Sequence, residues 1–217
     1  MAAMIKQFQQ YWSVTAQALG LSSTHAERVL LALLKAYQES QRHYHTGQHI
    51  VECLQFYQQV RDQLAEPVVV ELALWFHDFI YDPQASDNEL QSAQFMQQLL
   101  TDLVAPTKLQ SVSDWILATQ THQLDFSNNT ESSTDLAYVL DIDLTILGSS
   151  PERFMQYEQQ IRQEYYWVEP SLYRAKRAEL LSAFLQQSNI YYTHYFQQLL
   201  EQQARANLQD LITQLQA

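Results

Sequence analysis

The sequence predicts an all-α protein, and three observations carry that prediction. Only 3 Gly and 5 Pro occur in 217 residues, which leaves few of the residues that hairpins and tight turns require. Apolar residues recur at spacings of three and four, as in Val29, Leu30, Leu33, Leu34 and Tyr37, the stripe of a core-facing helix. The many glutamines suit helix faces. With 47% hydrophobic and 17% charged residues the composition is globular. No internal repeat, linker or low-complexity block divides the chain, so one domain of about nine or ten helices is expected over residues 1–217.

In order along the chain, Ile5 to about Leu19 reads as an amphipathic helix ended near Gly20, and Thr24 with Glu27 has capping-box spacing for the second helix. In RHYHTGQHIVECLQFY, Gly47 breaks the pattern and a new helix starts near Gln48, so His45 and His49 need not share one helix. Pro67 suits the first turn of the helix carrying VVVELALWFHDFIY. The β-branched run Val68–Val70 also admits a strand, but length and the lack of a partner strand favour helix. After Pro83 comes a loop, PQASD, in which Asp87 is placed to cap NELQSAQFMQQLL. Pro106 opens a helix that reaches His122, and the polar tract Asp125 to Thr134 is expected to be an exposed, mobile loop. Asp135 to Gly148 is a largely apolar helix carrying Asp141 and Asp143. Ser150 and Pro151 start the next, another begins near Pro170, and a last runs from about Thr193 to the end.

The formal net charge of −12, from 12 basic and 24 acidic residues, repels polyphosphate backbones, which argues against nucleic-acid polymers as partners. A small anionic substrate stays compatible, because a bound divalent cation inverts the local field. The single cysteine, Cys53, forms no internal disulfide, and the simplest expectation is a reducing, cytoplasmic setting. No apolar run is long enough to span a bilayer, and no signal-peptide pattern opens the sequence, so no membrane partner is expected.

The stretch ELALWFHDFIYD delivers the adjacent pair His77 and Asp78 from an apolar run. Burying an ionised carboxylate costs several kcal/mol or more unless a donor or cation compensates it. Taken alone, the pair reads more simply as a hydrogen-bonded core histidine beside a capping aspartate. His49 and one of Asp141 or Asp143 enlarge it to two imidazoles and two carboxylates, a set that suits Mn, Fe, Co, Ni or Zn better than Ca.

The order His, then His-Asp, then Asp on separate helices resembles the HD superfamily of metal-dependent phosphohydrolases. More closely, RHYHTGQHI, ALWFHDFIYDPQASDNELQSA, ATQTH and DIDLTILG resemble uncharacterised predicted hydrolases of that superfamily, with the pattern R-x-Y-H…H-I, F-H-D-x-x-Y, D-N-E-x-S-A and D-x-D-L-x-x-L-G. RQEYYWV near Arg162 and EQQARANL at Glu201 to Leu208 extend the likeness over most of the chain. The resemblance implies an HD-type helical bundle with a metal-site core over about residues 40–150 and further helices at about 151–217 packed on it. It also implies a divalent metal, Mg included, held by His49, His77, Asp78 and Asp143. Asp143 is preferred over Asp141 for its Asp-Leu context. On one helix, residues two apart point about 200° away from each other, so both hardly ligate one ion. Tyr81 stands where some HD enzymes carry an acidic residue, which leaves the general acid unassigned.

The activity so implied is hydrolysis of a small phosphorylated substrate, a phosphate ester or nucleotide, by metal-activated water. Asp78 or Asp141 would accept a proton, His45 or His122 would donate one to the leaving group, and Arg42 would anchor the anion. Against these roles stand plainer ones: a solvated loop histidine for His45, a helix-end histidine for His122, and pairing with Glu39 for Arg42. Glu89 with Asp87 is either a phosphate-site acid with its partner or an ordinary helix first turn, and the second is the safer reading. Two other classes remain open, a di-iron oxygenase with His122 and His45 as added ligands, and a non-catalytic metal and nucleotide-binding module. The apolar stripe of the last helix suits a homo-oligomer as well as a core.

Overall fold

The computed structural model describes residues 2–124 and 131–216. Among the described residues the chain is all-helical, with 75% helix, ten α-helices and no strand. It divides into two compact units, Met1–Ile142 and Asp143–Ala217.

The first unit holds α1 (Ala2–Ala18), α2 (Ser23–Ala36), α3 (Gly47–Val60), a 3-10 turn (Arg61–Gln63), α4 (Pro67–Phe76), α5 (Asn88–Leu100) and α6 (Pro106–Thr119). All of α7 (Glu131–Asp143) except its final residue belongs to it as well. Its centre is α4. Every residue from Val69 to Phe76 is buried, and a helix apolar on all sides is stable only when neighbours surround it. Here α1, α3, α5 and α6 pack on it. Pro67 occupies the first turn of α4, where its missing N–H costs nothing, and Val68 to Val70 lie in the helix. The Asp135 carboxylate on α7 accepts from the backbone N–H groups of Ala65 and Glu66 at 3.1 and 2.7 Å, just before α4 begins.

One polar network crosses this core. Thr15 Oγ1 donates to Glu71 Oε1 at 2.6 Å and accepts from Trp75 Nε1 at 2.9 Å, while the Tyr57 hydroxyl donates to Glu71 Oε2 at 3.3 Å. Burial pushes the Glu71 carboxyl above its usual range, and the Thr15 and Tyr57 hydrogen bonds with the Arg61 charge offset part of that rise.

The second unit holds a 3-10 turn (Leu144–Gly148), α8 (Pro151–Glu164), α9 (Pro170–Gln186) and α10 (His194–Gln216). Both α9 and the 3-10 turn pack on α10. Gly148 permits the turn's close approach, since a Cβ there would fall 2.6 Å from Leu200 Cβ and 2.9 Å from the Leu200 oxygen. Asn207 Nδ2 then ties the turn down, donating to the carbonyls of Leu147 and Ser149 at 2.8 and 2.9 Å. The Arg177 guanidinium, buried against Tyr157, pairs with both carboxylate oxygens of Glu158.

Several local expectations shift. The cap of α2 is Ser22, whose side chain accepts from the His25 N–H, rather than Thr24 with Glu27. Asp87 stands at the N-cap of α5 but makes no cap hydrogen bond, and its carboxylate accepts from Gln91 instead. The helix expected over Asp135–Gly148 tightens to 3-10 geometry after Asp143. Of the tract expected as a loop from Asp125 to Thr134, residues 125–130 lie outside the described residues, and Glu131 to Thr134 open α7. The helix of Pro106 stops at Thr119, and His122 follows in the left-handed region at φ 51°, uncommon for a residue with a Cβ.

Candidate metal centre

The Phe76/His77 boundary is where α4 ends. The backbone turns there, with His77 N–H donating to the Ala73 oxygen and Phe79 N–H to the Phe76 oxygen, and the adjacent His77 and Asp78 side chains converge. His49 stands in the first turn of α3, a helix capped by the Thr46 side chain on the Gln48 N–H. An apolar helix and a capped one thus present their ends to each other.

His77 is 2% exposed, His49 2%, and the Asp78 side chain 17%. Three donor atoms meet among them. His49 Nε2 lies 3.1 Å from His77 Nε2, His77 Nε2 lies 3.0 Å from Asp78 Oδ2, and His49 Nε2 lies 3.5 Å from the same oxygen. Metal–ligand bonds of about 2.1 Å put neighbouring donors roughly 3.0 to 3.4 Å apart in octahedral or tetrahedral sets. The triangle therefore has the edge lengths of donors sharing one first-row ion.

The outward-facing nitrogens define the rings' orientation. His77 Nδ1 is 3.1 Å from the Leu74 oxygen. A carbonyl only accepts, so Nδ1 carries the hydrogen and a neutral His77 leaves a bare lone pair on Nε2. His49 Nδ1 lies 3.0 Å from the Tyr44 hydroxyl, and Cys53, one helical turn on, rests its sulfur 3.7 Å from both His49 ring nitrogens. Burial alone raises the Asp78 carboxyl, but His77, His45 and His49 around it more than offset that and hold it well below the usual carboxylate range. Asp78 is therefore a carboxylate.

The other candidate residues divide. His45 is half-buried and stacks on Tyr81 with ring centroids 4.2 Å apart, close enough to act on Asp78 electrostatically. Arg42 takes the structural alternative. Its side chain has no exposure, and it donates to Glu39 Oε2 at 3.1 Å and to the backbone oxygens of His45, Asp78 and Phe79 at 3.1, 2.7 and 2.9 Å. With the fork engaged in this way and flanked by the rings of Tyr37 and Tyr81, it is no anion anchor. It fastens the His77-Asp78 turn to the segment before α3. Glu89 is a first-turn acid of α5, and neither it nor His122 belongs to the donor group of His49, His77 and Asp78. Asp141 is fully buried on α7, while Asp143, half-buried, ends that helix and opens the second unit.

The D-N-E-x-S-A stretch acts as a fastener. Asn88 Oδ1 accepts from Asp82 N–H at 3.0 Å and its Nδ2 donates to the Asp82 oxygen at 2.9 Å, while Ser92 Oγ accepts from Ile80 N–H at 2.9 Å. Together they hold the loop that follows Asp78 against α5. In the sequence Tyr44 entered only as the Tyr of the R-x-Y-H pattern, with no role, and Cys53 only for its redox meaning. Cys53 was legible as the residue four after His49 on one helix face, whereas Tyr44 reaches His49 from outside the helix and gave no periodic signal.

A cleft of about 620 Å³ opens where α5 gives way to α6, beside Gln97, Asp102 and Leu109, and it contains none of the three clustered donors. Comparison of the chain with protein-family models, curated proteins and solved structures finds no match in any of the three.

Proposed function

We propose that this protein is a divalent-metal-dependent phosphohydrolase acting on a small phosphate ester or nucleotide. The observation that carries the reading is the His77 ring. With Nδ1–H directed to the Leu74 carbonyl, its Nε2 faces an ionised carboxylate oxygen at 3.0 Å and a second imidazole nitrogen at 3.1 Å, both imidazoles buried and the carboxylate partly exposed. With His49 in its Nδ1–H form all three atoms are acceptors, and acceptors packed this closely repel one another unless a cation or a proton lies among them. Two imidazoles and a carboxylate favour Mn, Fe, Co, Ni or Zn, with Mg also admitted.

The donors His49, His77 and Asp78 would hold the ion. Such an ion supplies Lewis acidity toward water and toward a phosphoryl oxygen. Around it, the partly exposed Asp78 carboxylate is placed to accept a proton, and His45, fixed by its stack on Tyr81, to give one to the leaving group. Phosphate esters are chosen as the substrate class because the motifs resemble the HD superfamily. That resemblance also assigns Asp143 to the ligand set, although the reading rests on the three residues of the first unit. A cytoplasmic setting belongs to the proposal, in keeping with the single cysteine, Cys53, which is buried. Among the described residues no helix is long and apolar enough to cross a membrane.

The test is elemental analysis of protein purified without a chelating column, then a phosphate-ester screen with the metal added back. About one ion per chain is expected. His77→Ala and Asp78→Ala should lower hydrolysis at least about 100-fold, since removing even an outer partner of a ligand costs about 10- to 100-fold. Full activity in both folded variants would place the active site elsewhere.

A further inference from the structure

We propose that Tyr44 is a positioning residue of the metal centre: its hydroxyl accepts the Nδ1–H of His49 and so turns the Nε2 lone pair of His49 toward Asp78. The inference rests on the metal reading above and adds to it the residue that backs one ligand from behind. The two imidazoles have different partners behind them. His77 is backed by the Leu74 carbonyl, which only accepts, so its tautomer is set by the main chain. His49 is backed by the Tyr44 hydroxyl at 3.0 Å, a group that both donates and accepts. Where Nε2 ligates, Nδ1 must carry the hydrogen, and Tyr44 supplies an acceptor at the right distance.

Tyr44 is built for the task. It is 5% exposed, and its ring lies 4.8 Å from that of His49 with 42° between the planes. Its backbone is fixed by Thr46 N–H, which donates to the Tyr44 oxygen at 2.7 Å, and the following residue by Arg42, which donates to the His45 oxygen. The Arg42 fork that holds the His77-Asp78 turn therefore also holds the segment that supplies Tyr44. The Cys53 sulfur, in contact with both nitrogens of His49, helps keep the ring in its plane but is a weak hydrogen-bonding partner. Of these two, the Tyr44 hydroxyl is the stronger partner for the Nδ1–H.

The experiment is a zinc titration of protein carrying ¹⁵N-labelled histidine, with NMR reporting which ring nitrogen binds the metal and calorimetry reporting affinity, repeated for Tyr44→Phe. A control, Tyr57→Phe, removes another buried hydroxyl on the same helix as His49, one that bonds Glu71 rather than that ring. In the wild type, both His49 and His77 should bind through Nε2 with the hydrogen on Nδ1. Tyr44→Phe should weaken zinc binding about 10- to 100-fold, and Tyr57→Phe should alter stability while leaving zinc affinity unchanged. Wild-type affinity in Tyr44→Phe, or coordination of His49 through Nδ1, would overturn the role of Tyr44 while leaving the metal centre standing. Zinc that perturbs neither imidazole would overturn the metal reading itself.

Discussion

Arg42 donates to the main-chain oxygen of Asp78 across 2.7 Å, and the same guanidinium nitrogen donates to the His45 oxygen at 3.1 Å. The geometry of the candidate centre is thus held by a cation that touches backbone rather than substrate. Lysine carries the charge but not the planar fork, so Arg42→Lys should destabilise the fold by about 3 kcal/mol, the scale of breaking a buried charged network. Glu39 is the exposed member of the arrangement, and Glu39→Gln should cost under about 1 kcal/mol. Urea unfolding of both variants checks the pair, and equal losses would mean that the Glu39 ion pair, rather than the carbonyl fork, carries the stability.

Glu71 predicts a pH dependence of stability. Its folded-state pKa is raised by burial, so in the interval above the unfolded value, about 4.3 for Glu, the native state binds the extra proton. Stability then falls as pH rises from that value through the raised folded value and stays lower above it. Glu71→Gln removes the titrating group and should remove this downward slope. Unfolding free energies of wild type and variant measured from pH 4 to pH 8 should diverge in favour of the variant as pH rises. Parallel curves would show that Glu71 ionises as readily in the native state as in the unfolded chain.

The HD resemblance proposes Asp143 as a fourth ligand, with Asp141 as the alternative. Asp141 is fully buried and Asp143 is not. Asp143→Ala should weaken divalent-metal binding by at least about tenfold with a small change in melting temperature, whereas Asp141→Ala should mainly lower stability. Calorimetric metal titration with thermal unfolding separates the two, and loss of metal binding in Asp141→Ala alone would reverse the assignment.

Much of this arrangement was legible from residue pattern because it depends on local rules. The run from Val68 to Phe76 is too apolar for any surface, and Pro67 marks its start, so α4 and the His-Asp pair at its end follow from burial and helix chemistry. The shift of the α2 cap from Thr24 to Ser22 arises where three hydroxyl residues stand in a row, Ser22, Ser23 and Thr24, and capping preference alone does not rank them. Arg42 was harder to read for a different reason. Three of its acceptors are main-chain carbonyls, two of them supplied by Asp78 and Phe79, and a carbonyl leaves no trace in side-chain identity. Tyr44 belongs to the same class, since its contact with His49 depends on how a short turn folds back.

Because His77 and Asp78 follow directly on a helix with no solvent face, the donor atoms inherit their positions from the oiliest part of the molecule. A methyl group lost from Val70 or Leu74, both fully buried, leaves a void in the rod that ends at this pair, so packing there and the proposed ligation are expected to change together.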